Sequence, residues 1–514
     1  MVVPVQAWAS TTSILLQACS EISLITGIEP VQAGFNWVST MSYQLKEILN
    51  PGSIAVAGAS DKGRGGGFVS PPVNLGFEGP IYPVNPNYQE VSGLTCYPSV
   101  KDIPGSVDYV ISSVPSTAAL GLMRDCVEKG IKCVHYFTAR FSETGRPEDA
   151  ALEQEILKTA REGGVRIIGP NCMGLYSPGA GISMHNGMPT ESGSIGLASQ
   201  SGGVLMQMVG SAAQRGLRFS KAVSYGNAID LNECDYLEYF TDDPDTNVIL
   251  MYIEGIKDGR RFIPALKKAA ATKPVVILKG GRSDAGTRAT ASHTGSLAGS
   301  YRVFQGLVHG AGGVTVRDFD ELVDIAVAFN YLPSYTSRNL GVMGGSGGSS
   351  VNAADLFAEA GLNVVPIPQD IRDTLKAEGN SAYGWFNNPI DGSISMGDSS
   401  GTTRLIELMA EHDDFQTFLS FTPDPRWDGK GNSDFDSIMA ESLHNKTDKP
   451  VIMLSGGGFS RMPESDEMAS VAKQIRQQLF DDGVATFPNM TRAAHALGKV
   501  IDFYDYRKQW ADFA

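Results

Sequence analysis

The sequence lacks several features that would assign a protein to a class at once. It has six cysteines in 514 residues, with no Cys-x-x-Cys pair and no histidine at metal-ligand spacing, which argues against a metal site and indicates reduced thiols. The 41 Lys and Arg are outnumbered by 56 Asp and Glu, which argues against a nucleic-acid-binding surface. No apolar run approaches the roughly 20 residues of a transmembrane helix. We therefore expect a cytoplasmic protein that binds neither nucleic acid nor membrane.

The amino-terminal segment also lacks a targeting signal. No Lys or Arg precedes Lys46, so the basic region of a secretory signal is missing. Met41 opens a segment that leads directly into the first predicted strand. We interpret residues 1–45 as an N-terminal extension, either a disordered tail or the product of a start codon assigned too far upstream.

Short β-branched runs alternate with helical patterns from residue 53 onward, which is typical of parallel α/β domains. The chain is too long for a single core. We predict a Rossmann-like domain at residues 46–168, followed by two further α/β domains at 169–333 and 334–514. The predicted buried strands are residues 53–57, 81–84, 109–114, 133–137, 195–198, 248–254, 274–279, 340–343, 418–421 and 451–454.

The first predicted strand runs into a glycine-rich turn that begins at Gly58. Such a turn after a strand is typical of a site that binds the phosphate groups of a nucleotide. The second strand is followed by Asn85-Pro86-Asn87, where a dinucleotide site would have an Asp or Glu for the ribose. A nicotinamide cofactor is therefore disfavoured.

Two Gly/Ser turns and one histidine indicate phosphate chemistry. Residues 199–203 (SQSGG) and 344–349 (GGSGGS) each follow an apolar run and precede a helix-compatible segment. A strand that turns into a helix in this way presents backbone N–H groups and the positive end of the helix dipole to an anion. His293 lies in residues 292–299 (SHTGSLAG), where small neighbours leave the imidazole open to approach. Cys172 has no adjacent base, so we do not assign it as a nucleophile.

Together these motifs resemble the α-type subunit of the nucleoside-diphosphate-forming acyl-CoA synthetases, the superfamily that includes succinyl-CoA synthetase. The resemblance extends from Met41 to about residue 509. It is carried by residues 54–62 (IAVAGASDK), 168–174 (IGPNCMG), 224–227 (SYGN) and 279–299, the last resembling the family's phosphohistidine loop. It implies a Rossmann-like CoA-binding domain followed by two flavodoxin-like domains of the succinyl-CoA synthetase type.

The resemblance also implies the roles of individual residues. His293 would be phosphorylated, and Glu254 would hydrogen-bond the other ring nitrogen. The phosphoryl group would lie between two helix N-termini, at Ser201 and Ser346. The predicted coenzyme A contacts are Gly58, Ser60, Asp61, Lys62, Gly63, Asn85, Phe137, Thr138 and Ala139. The predicted phosphate contacts are Ser199, Gln200, Ser201, Gly202, Gly345, Ser346, Gly347 and Gly348.

The implied reaction converts acyl-CoA, phosphate and ADP to acid, CoA and ATP, reversibly, through an acyl phosphate and phospho-His293. No segment is left for the family's ATP-grasp domain. We therefore expect a hetero-oligomer in which a separate ATP-grasp subunit binds ADP or ATP with Mg²⁺. The acid stays open among acetate, a branched or aryl acid and a dicarboxylate.

The sequence departs from the family pattern at two places. Residues 85–88 (NPNY) lack the usual basic residue, and Arg140 stands where the family usually has glycine. The cluster of Tyr383, Trp385 and Phe386 is interpreted as core or loop packing, with an acyl pocket as the alternative.

Three other functions are weighed against the ligase. A non-catalytic CoA-binding sensor or scaffold, and an acyl or carbamoyl transferase, would each leave His293 and Glu254 without a task. A nicotinamide-dependent oxidoreductase ranks last, because no acid follows the second strand.

Overall fold

The structure is a computed structural model that describes residues 45–61, 67–294, 300–334, 337–343, 347–391, 399–421, 447–454 and 466–511. The chain divides into two units, Met1–Glu47 and Ile48–Ala514. The elements below belong to the second unit. Of the helices in the described ranges, none is long and apolar enough to span a membrane.

The first sheet forms from short apolar runs whose side chains are almost all buried. Its strands are β1 (Ile54–Ala57), β2 (Ile81–Val84), β5 (Tyr109–Ser112), β6 (Cys133–Tyr136) and β7 (Arg166–Ile168), with a small hairpin of β3 (Glu90–Val91) and β4 (Leu94–Thr95) after β2. The accompanying helices are α1 (Ser70–Leu75), α2 (Ser116–Lys129) and α3 (Pro147–Glu162). The strands are parallel in the order β2-β1-β5-β6-β7.

The second sheet has six strands, five of them parallel. They are β8 (Gly174–Tyr176), β9 (Ile195–Ser199), β10 (Phe219–Ser224), β11 (Val248–Ile253), β12 (Val275–Lys279) and β13 (Val314–Val316). The helices are α4 (Gly202–Ala213), α5 (Glu233–Asp242), α6 (Gly259–Thr272), α7 (Asp284–Thr294), α8 (Tyr301–Gly310) and α9 (Phe319–Tyr331). The order is β13-β12-β11-β9-β10-β8.

The third sheet is parallel throughout. Its strands are β14 (Asn339–Met343), β15 (Asn363–Val364), β16 (Thr417–Phe421), β17 (Val451–Leu454) and β18 (Ala485–Phe487), in the order β15-β14-β16-β17-β18. The helices are α10 (Gly347–Glu359), α11 (Gln369–Ala377), α12 (Ser399–Glu411), α13 (Asp466–Asp481) and α14 (Met490–Ala511).

The three sheets share one topology. Counted along the chain, the parallel strands of each sheet have the order 2-1-3-4-5, the doubly wound arrangement of flavodoxin. Ligands of such sheets bind outside the carboxyl ends of the strands, where the strand order reverses. In these sheets the reversal lies between β1 and β5, between β9 and β11, and between β14 and β16. The glycine-rich turns predicted as binding sites all follow the first strand of each pair.

The second and third sheets share one hydrophobic core. A single cluster of buried apolar side chains contains Leu197 and Leu250 from the second sheet and Leu340 and Leu419 from the third. Helices α9 and α14 lie against each other within it, and Phe329 of α9 meets Phe503 of α14 edge to face at 5.0 Å. The first sheet has a core of its own. The second and third sheets are therefore fixed to each other by apolar packing.

The predicted α/β architecture is confirmed, and every predicted strand matches an observed one to within two residues. Within the three large sheets, one of the described strands departs from the parallel pattern, because β8 runs antiparallel to β10. The chain reverses direction in the turn before β8, where Gly169, Asn171 and Gly174 have φ angles of 102°, 58° and 72°. The domain boundaries at 168/169 and 333/334 stay predictions.

Candidate active site

The turn after β1 depends on glycine at position 58. Gly58 has a φ of +86°, and its N–H donates to the carbonyl oxygen of Val84 at 2.9 Å. A Cβ atom there would lie 2.9 Å from Ser113 Oγ and 3.0 Å from the Ser113 carbonyl carbon. No larger residue fits without moving the loop after β5. The turn is therefore packed into the point where the strand order of the first sheet reverses.

Polar side chains tie the loops after β1 and β2 together. Asn85 Nδ2 donates to the carbonyl oxygen of Ala59 at 2.8 Å. Asp61 Oδ1 accepts from the amide of Ser92 at 2.9 Å, and Ser60 Oγ donates to the hydroxyl of Tyr88 at 3.4 Å. The side chain of Asn85 thus braces the β1 turn from the next loop, a task that the sequence did not predict.

The loop after β6 reaches the same edge of the sheet. Ser112 of β5 pairs with both Ala57 and Tyr136, so the carboxyl ends of these strands are level. Phe137 packs edge to face on Phe68 at 4.8 Å, Thr138 Oγ1 donates to the carbonyl oxygen of Val114 at 2.6 Å, and Ala139 is exposed.

The structure therefore brings most of the predicted coenzyme A contacts to one edge. These are Gly58, Ser60, Asp61, Asn85, Phe137, Thr138 and Ala139. Lys62 and Gly63 lie outside the described residues.

Arg140 follows this loop in a conformation that favours glycine. Its φ is +75°, and its amide donates to Glu143 Oε1 at 2.5 Å. The left-handed region costs a residue with a side chain about 1–2 kcal/mol, which the charge-assisted hydrogen bond to Glu143 offsets. This is the position at which the sequence departs from the usual glycine.

The first Gly/Ser turn joins β9 to α4 through hydrogen bonds of its own. Ser201 is the N-cap of α4, and its side chain accepts from the amide of Val204 at 3.4 Å. Ser199 Oγ donates to the carbonyl oxygen of Ser201 at 2.7 Å. Helix α4 begins at Gly202, where a Cβ would lie 2.4 Å from Met173 Cγ. The turn is rigid, and it directs the positive end of the helix dipole toward the carboxyl edge of the sheet.

A buried glutamine links this turn to the candidate carboxylate. Gln200 is 1% exposed, and its Oε1 accepts from the amides of Glu254 at 2.7 Å and Gly255 at 3.0 Å. The backbone amide of Gln200 donates to the carbonyl oxygen of Tyr252 at 3.0 Å. The phosphate contact that we predicted for Gln200 stays a prediction. Its side-chain oxygen faces the β11 loop and fixes the position of the backbone at Glu254.

Glu254 follows β11 directly and is 4% exposed. Its Oε1 accepts from the hydroxyl of Tyr252 at 3.2 Å. Strand β11 lies beside β9, so Glu254 and the Ser199–Gly202 turn stand on either side of the reversal in strand order. The backbone at Glu254 is thus held by Gln200 of the turn that precedes α4.

Lys279 is a buried neighbour that the sequence did not single out. It pairs with Ile253 across β11 and β12, and its Nζ donates to the carbonyl oxygen of Glu254 at 2.7 Å and to that of Gly280 at 2.5 Å. Burial lowers the pKa of Lys279, and the charge of Glu254 opposes that shift. Lys279 is the last residue of β12, the strand that follows the Glu254 strand in the chain. This position is the signal that could have identified Lys279.

His293 is the penultimate residue of α7, the helix that follows β12. Its side chain and residues 295–299 lie outside the described residues, so its contact with Glu254 stays a prediction. Helix α7 lies against the short 3₁₀ turn Ser142–Thr144, which comes after the candidate coenzyme A loop at Phe137. The helix that carries His293 therefore contacts the chain shortly after the candidate coenzyme A loop.

The second Gly/Ser turn joins β14 to α10. Gly345 and Ser346 lie outside the described residues, whereas Gly347 begins α10 and Gly348 follows it. A Cβ on Gly347 would lie 2.9 Å from Asp391 Oδ2. The described part of this turn is thus at the carboxyl edge of the third sheet.

Cys172 is 4% exposed, and burial raises the pKa of its thiol. A buried thiol with a raised pKa is a poor nucleophile, in agreement with the sequence analysis.

Known proteins resemble the chain over nearly its whole length. Residues 52–178 match the CoA binding domain, and residues 192–329 match the succinyl-CoA ligase like flavodoxin domain. The acetate–CoA ligase [ADP-forming] II subunit alpha of Pyrococcus furiosus is 32% identical over 467 residues, which are 88% of this chain and 97% of that one. The name of that relative implies a second subunit.

A longer relative and a solved structure agree with this match. The acetate–CoA ligase [ADP-forming] of Methanocaldococcus jannaschii is 37% identical over 65% of this chain, and the match spans 47% of its own length. The dinucleotide forming acetyl-coenzyme A synthetase 1 of Ca. Korarchaeum cryptofilum, solved in complex with phosphate and ADP, superposes with a TM-score of 0.74 at 29% identity. That superposition covers 90% of this chain and 97% of that one.

The predicted family, fold and ligase class are confirmed by these matches, which favour the ligase over the sensor and transferase alternatives. With this identity over nearly all of an alpha subunit, the chain belongs to the family of ADP-forming acyl-CoA ligases.

Proposed function

We propose that this chain is the CoA-binding and phosphohistidine-bearing subunit of an acyl-CoA ligase that interconverts acyl-CoA, phosphate and ADP with acid, CoA and ATP. One observation carries the proposal. The side-chain oxygen of buried Gln200 accepts a hydrogen bond from the Glu254 amide at 2.7 Å. This bond lies beside the N-terminus of α4. The histidine-bearing helix α7 follows β12, the strand paired with the Glu254 strand.

The first sheet would bind coenzyme A at its carboxyl edge. The β1 turn, which is packed against Ser113 at Gly58, would direct the phosphate groups of coenzyme A to this edge. Bound there, acyl-CoA presents its thioester to inorganic phosphate. A phosphate oxygen attacks the carbonyl carbon, the C–S bond breaks, and the products are an acyl phosphate and the CoA thiol.

His293 would take over the phosphoryl group. An imidazole nitrogen attacks phosphorus, the bond between phosphorus and the acyl oxygen breaks, and the carboxylic acid leaves as carboxylate. The Glu254 carboxylate accepts a hydrogen bond from the other ring nitrogen, which fixes the tautomer and stabilises the cation that develops. The phosphoryl group, with close to two negative charges, would lie between the N-termini of α4 and α10, at Ser201 and Ser346.

A second subunit would complete the cycle. We propose that it carries an ATP-grasp domain, where ADP with Mg²⁺ accepts the phosphoryl group from His293 and regenerates the imidazole. The segment 279–299, which contains His293, would carry the phosphoryl group from one site to the other. We propose that three domains, at residues 46–168, 169–333 and 334–514, take part in this cycle. An N-terminal extension at residues 1–45 precedes them.

The proposal is tested by replacing His293 in the complex with its co-expressed partner. His293→Ala is expected to abolish acyl-CoA formation and to leave CoA affinity within about twofold, since the imidazole acts in the transfer and not in CoA binding. His309→Ala is the matched control, because His309 lies on α8 and bonds Thr315 Oγ1 at 2.9 Å. Retained activity in His293→Ala would refute the proposed mechanism.

A further inference from the structure

The side chain of Glu254 has a hydrogen-bond donor close to it in the sequence. Tyr252 lies two residues earlier, in the last turn of chain before the end of β11, so the two side chains leave the strand on the same face. The hydroxyl of Tyr252 donates to Glu254 Oε1 at 3.2 Å. Gln200 fixes the backbone at Glu254, and Tyr252 therefore restrains the carboxylate itself.

The ring of Tyr252 is fixed by its neighbours on three elements. Its backbone pairs with Ser199 of β9 on one side and with Leu278 of β12 on the other. The centroid of its ring lies 6.2 Å from that of Phe319 on α9, with 35° between the ring planes. Because the strand is paired on both sides and the ring is packed, the hydroxyl has little freedom to leave the carboxylate.

The hydroxyl and the carboxylate both lie against the start of the segment 279–299, which contains His293. A Cβ atom on Gly280 would lie 2.8 Å from the Tyr252 hydroxyl oxygen and 3.2 Å from Glu254 Cγ. The N–H of Gly280 donates to the carbonyl oxygen of Ile253 at 2.8 Å, which holds the segment to the end of β11. A side chain at position 280 would therefore displace the pair formed by Tyr252 and Glu254.

Tyr252 serves as the donor of this hydrogen bond. Burial raises the pKa of Tyr252, and the charge of Glu254 raises that pKa further. The phenol therefore keeps its proton and donates it to a carboxylate oxygen, which can only accept when it is ionised. A hydrogen bond of this kind, with a charged acceptor, is about twice as strong as one between neutral groups.

The direction of the carboxylate matters for the proposed transfer. Glu254 would accept a hydrogen bond from one ring nitrogen of His293 while the other ring nitrogen attacks phosphorus. A carboxylate that can rotate spends part of its time in other directions, and small errors in the placement of reacting groups are costly. With Oε1 held by Tyr252, the second oxygen is presented in one direction.

We infer that Tyr252 is a positioning residue of the phosphohistidine site, an inference that rests on the proposed function. Its hydroxyl holds Glu254 Oε1, so that Oε2 faces the imidazole of His293. Tyr252 contacts neither phosphate nor CoA, and it forms and breaks no covalent bond in the reaction. Its effect on the transfer passes through the Glu254 carboxylate.

The test is a double-mutant cycle on the rate of His293 phosphorylation, measured in the complex with the co-expressed partner. Tyr252→Phe keeps the packed ring and removes the hydroxyl. It is expected to slow phosphorylation by about tenfold, the scale of one hydrogen bond to a charged group, and to change KM for CoA by less than about twofold. In a chain that already carries Glu254→Gln, it is expected to change the rate by less than about twofold, because the charge through which it acts is gone.

Tyr331→Phe is the matched control, because it removes a half-buried hydroxyl that donates to the carbonyl oxygen of Gly216 at 2.7 Å. It is expected to leave the phosphorylation rate unchanged. Equal slowing by Tyr252→Phe with and without Glu254→Gln would mean that the hydroxyl acts independently of the carboxylate, and it would overturn the inference. An unchanged rate in Tyr252→Phe alone would overturn it as well.

A measurement without turnover separates this inference from the proposed function. In the full chain labelled with ¹³C at tyrosine Cζ, the resonance of Tyr252 is identified by its loss in Tyr252→Phe. Glu254→Gln is expected to shift that resonance, because an amide oxygen is a weaker acceptor than a carboxylate, and to leave the resonance of Tyr331 in place. A shift supports the contact, and if the wild-type complex then forms no phosphohistidine, the proposed function is what fails. A Tyr252 resonance that does not move contradicts the inference.

Discussion

Glu254 is the buried carboxylate on which the proposed histidine chemistry depends. Glu254→Gln keeps the size of the side chain and removes its charge, while the hydrogen bonds of Gln200 and Lys279 go to the backbone at 254 and 255 and persist. We expect phosphorylation of His293 to slow by about 100-fold, the scale of a lost acid–base partner, with thermal stability little changed. A rapid-quench experiment measures the rate of His293 phosphorylation, with Glu191→Gln at an exposed residue as the control. An unchanged rate would remove Glu254 from the site.

Individual residues also mark the limit of sequence reasoning. The motif after β9 predicts Gln200 as a phosphate contact, and that role stays a prediction, but no motif predicted the hydrogen bonds that its Oε1 accepts from the amides of Glu254 and Gly255. Which way a side chain turns depends on the neighbouring strand, and no local pattern encodes that neighbour. Trp385 was interpreted as core or loop packing, with an acyl pocket as the alternative, yet it is 73% exposed, because burial is a property of the assembled fold.

At the scale of elements, the glycine-rich turn after β1 should tolerate no side chain. Gly58→Ala places a Cβ 2.9 Å from Ser113 Oγ at a φ of +86°. The left-handed backbone at position 58 alone costs alanine about 1–2 kcal/mol of folding free energy. Relieving the contact between its Cβ and Ser113 would move the loop after β5. We expect CoA affinity to fall by roughly tenfold or more, since small displacements of binding groups are costly. Gly67→Ala, with open space around its Cβ, is the control for titration calorimetry, and equal affinities in both variants would contradict this account of the turn.

The strands were the most predictable elements. Continuous apolar runs such as Val248–Ile253 (VILMYI) are typical of strands buried on both faces of a parallel sheet, and turn residues bound each of them. The antiparallel strand β8 was not predicted, because its three residues, GLY, carry no periodic signal. Its direction follows from the positive-φ turn before it. Short edge elements are thus decided by turns and by tertiary pairing.

At the scale of the whole molecule, an ion cluster joins the second and third sheets. Glu321 of α9 accepts from Lys499 at 2.5 Å and lies 2.6 Å from His495 Nε2, both on α14. Burial alone would raise the pKa of Glu321, but hydrogen bonds from Lys499 and from the amide of Arg317 lower it to about 2. A lowered pKa means that the ionised form is the one the fold stabilises.

The stability of the joint between these sheets should therefore depend on pH in one direction. The contribution of Glu321 is complete above its ordinary pKa of 4.5 and disappears as pH falls toward 2, and a shift of this size is worth a few kcal/mol. We expect Glu321→Gln to lower the urea midpoint clearly at pH 7 and progressively less below pH 4.5, with exposed Glu359→Gln as control. If Glu321→Gln lowered the urea midpoint by the same amount at every pH, a charged Glu321 would be contradicted.

The phosphoryl group is proposed to pass through His293, and the roles proposed for Glu254 and for the N-termini of α4 and α10 depend on that step. The most direct measurement incubates the chain with γ-labelled ATP, with and without its co-expressed partner, and maps acid-labile phosphate by mass spectrometry. We predict label on His293 that requires the partner and is discharged by acid together with CoA. Label on another residue, or none in the presence of the partner while CoA still binds, would contradict the phosphohistidine mechanism.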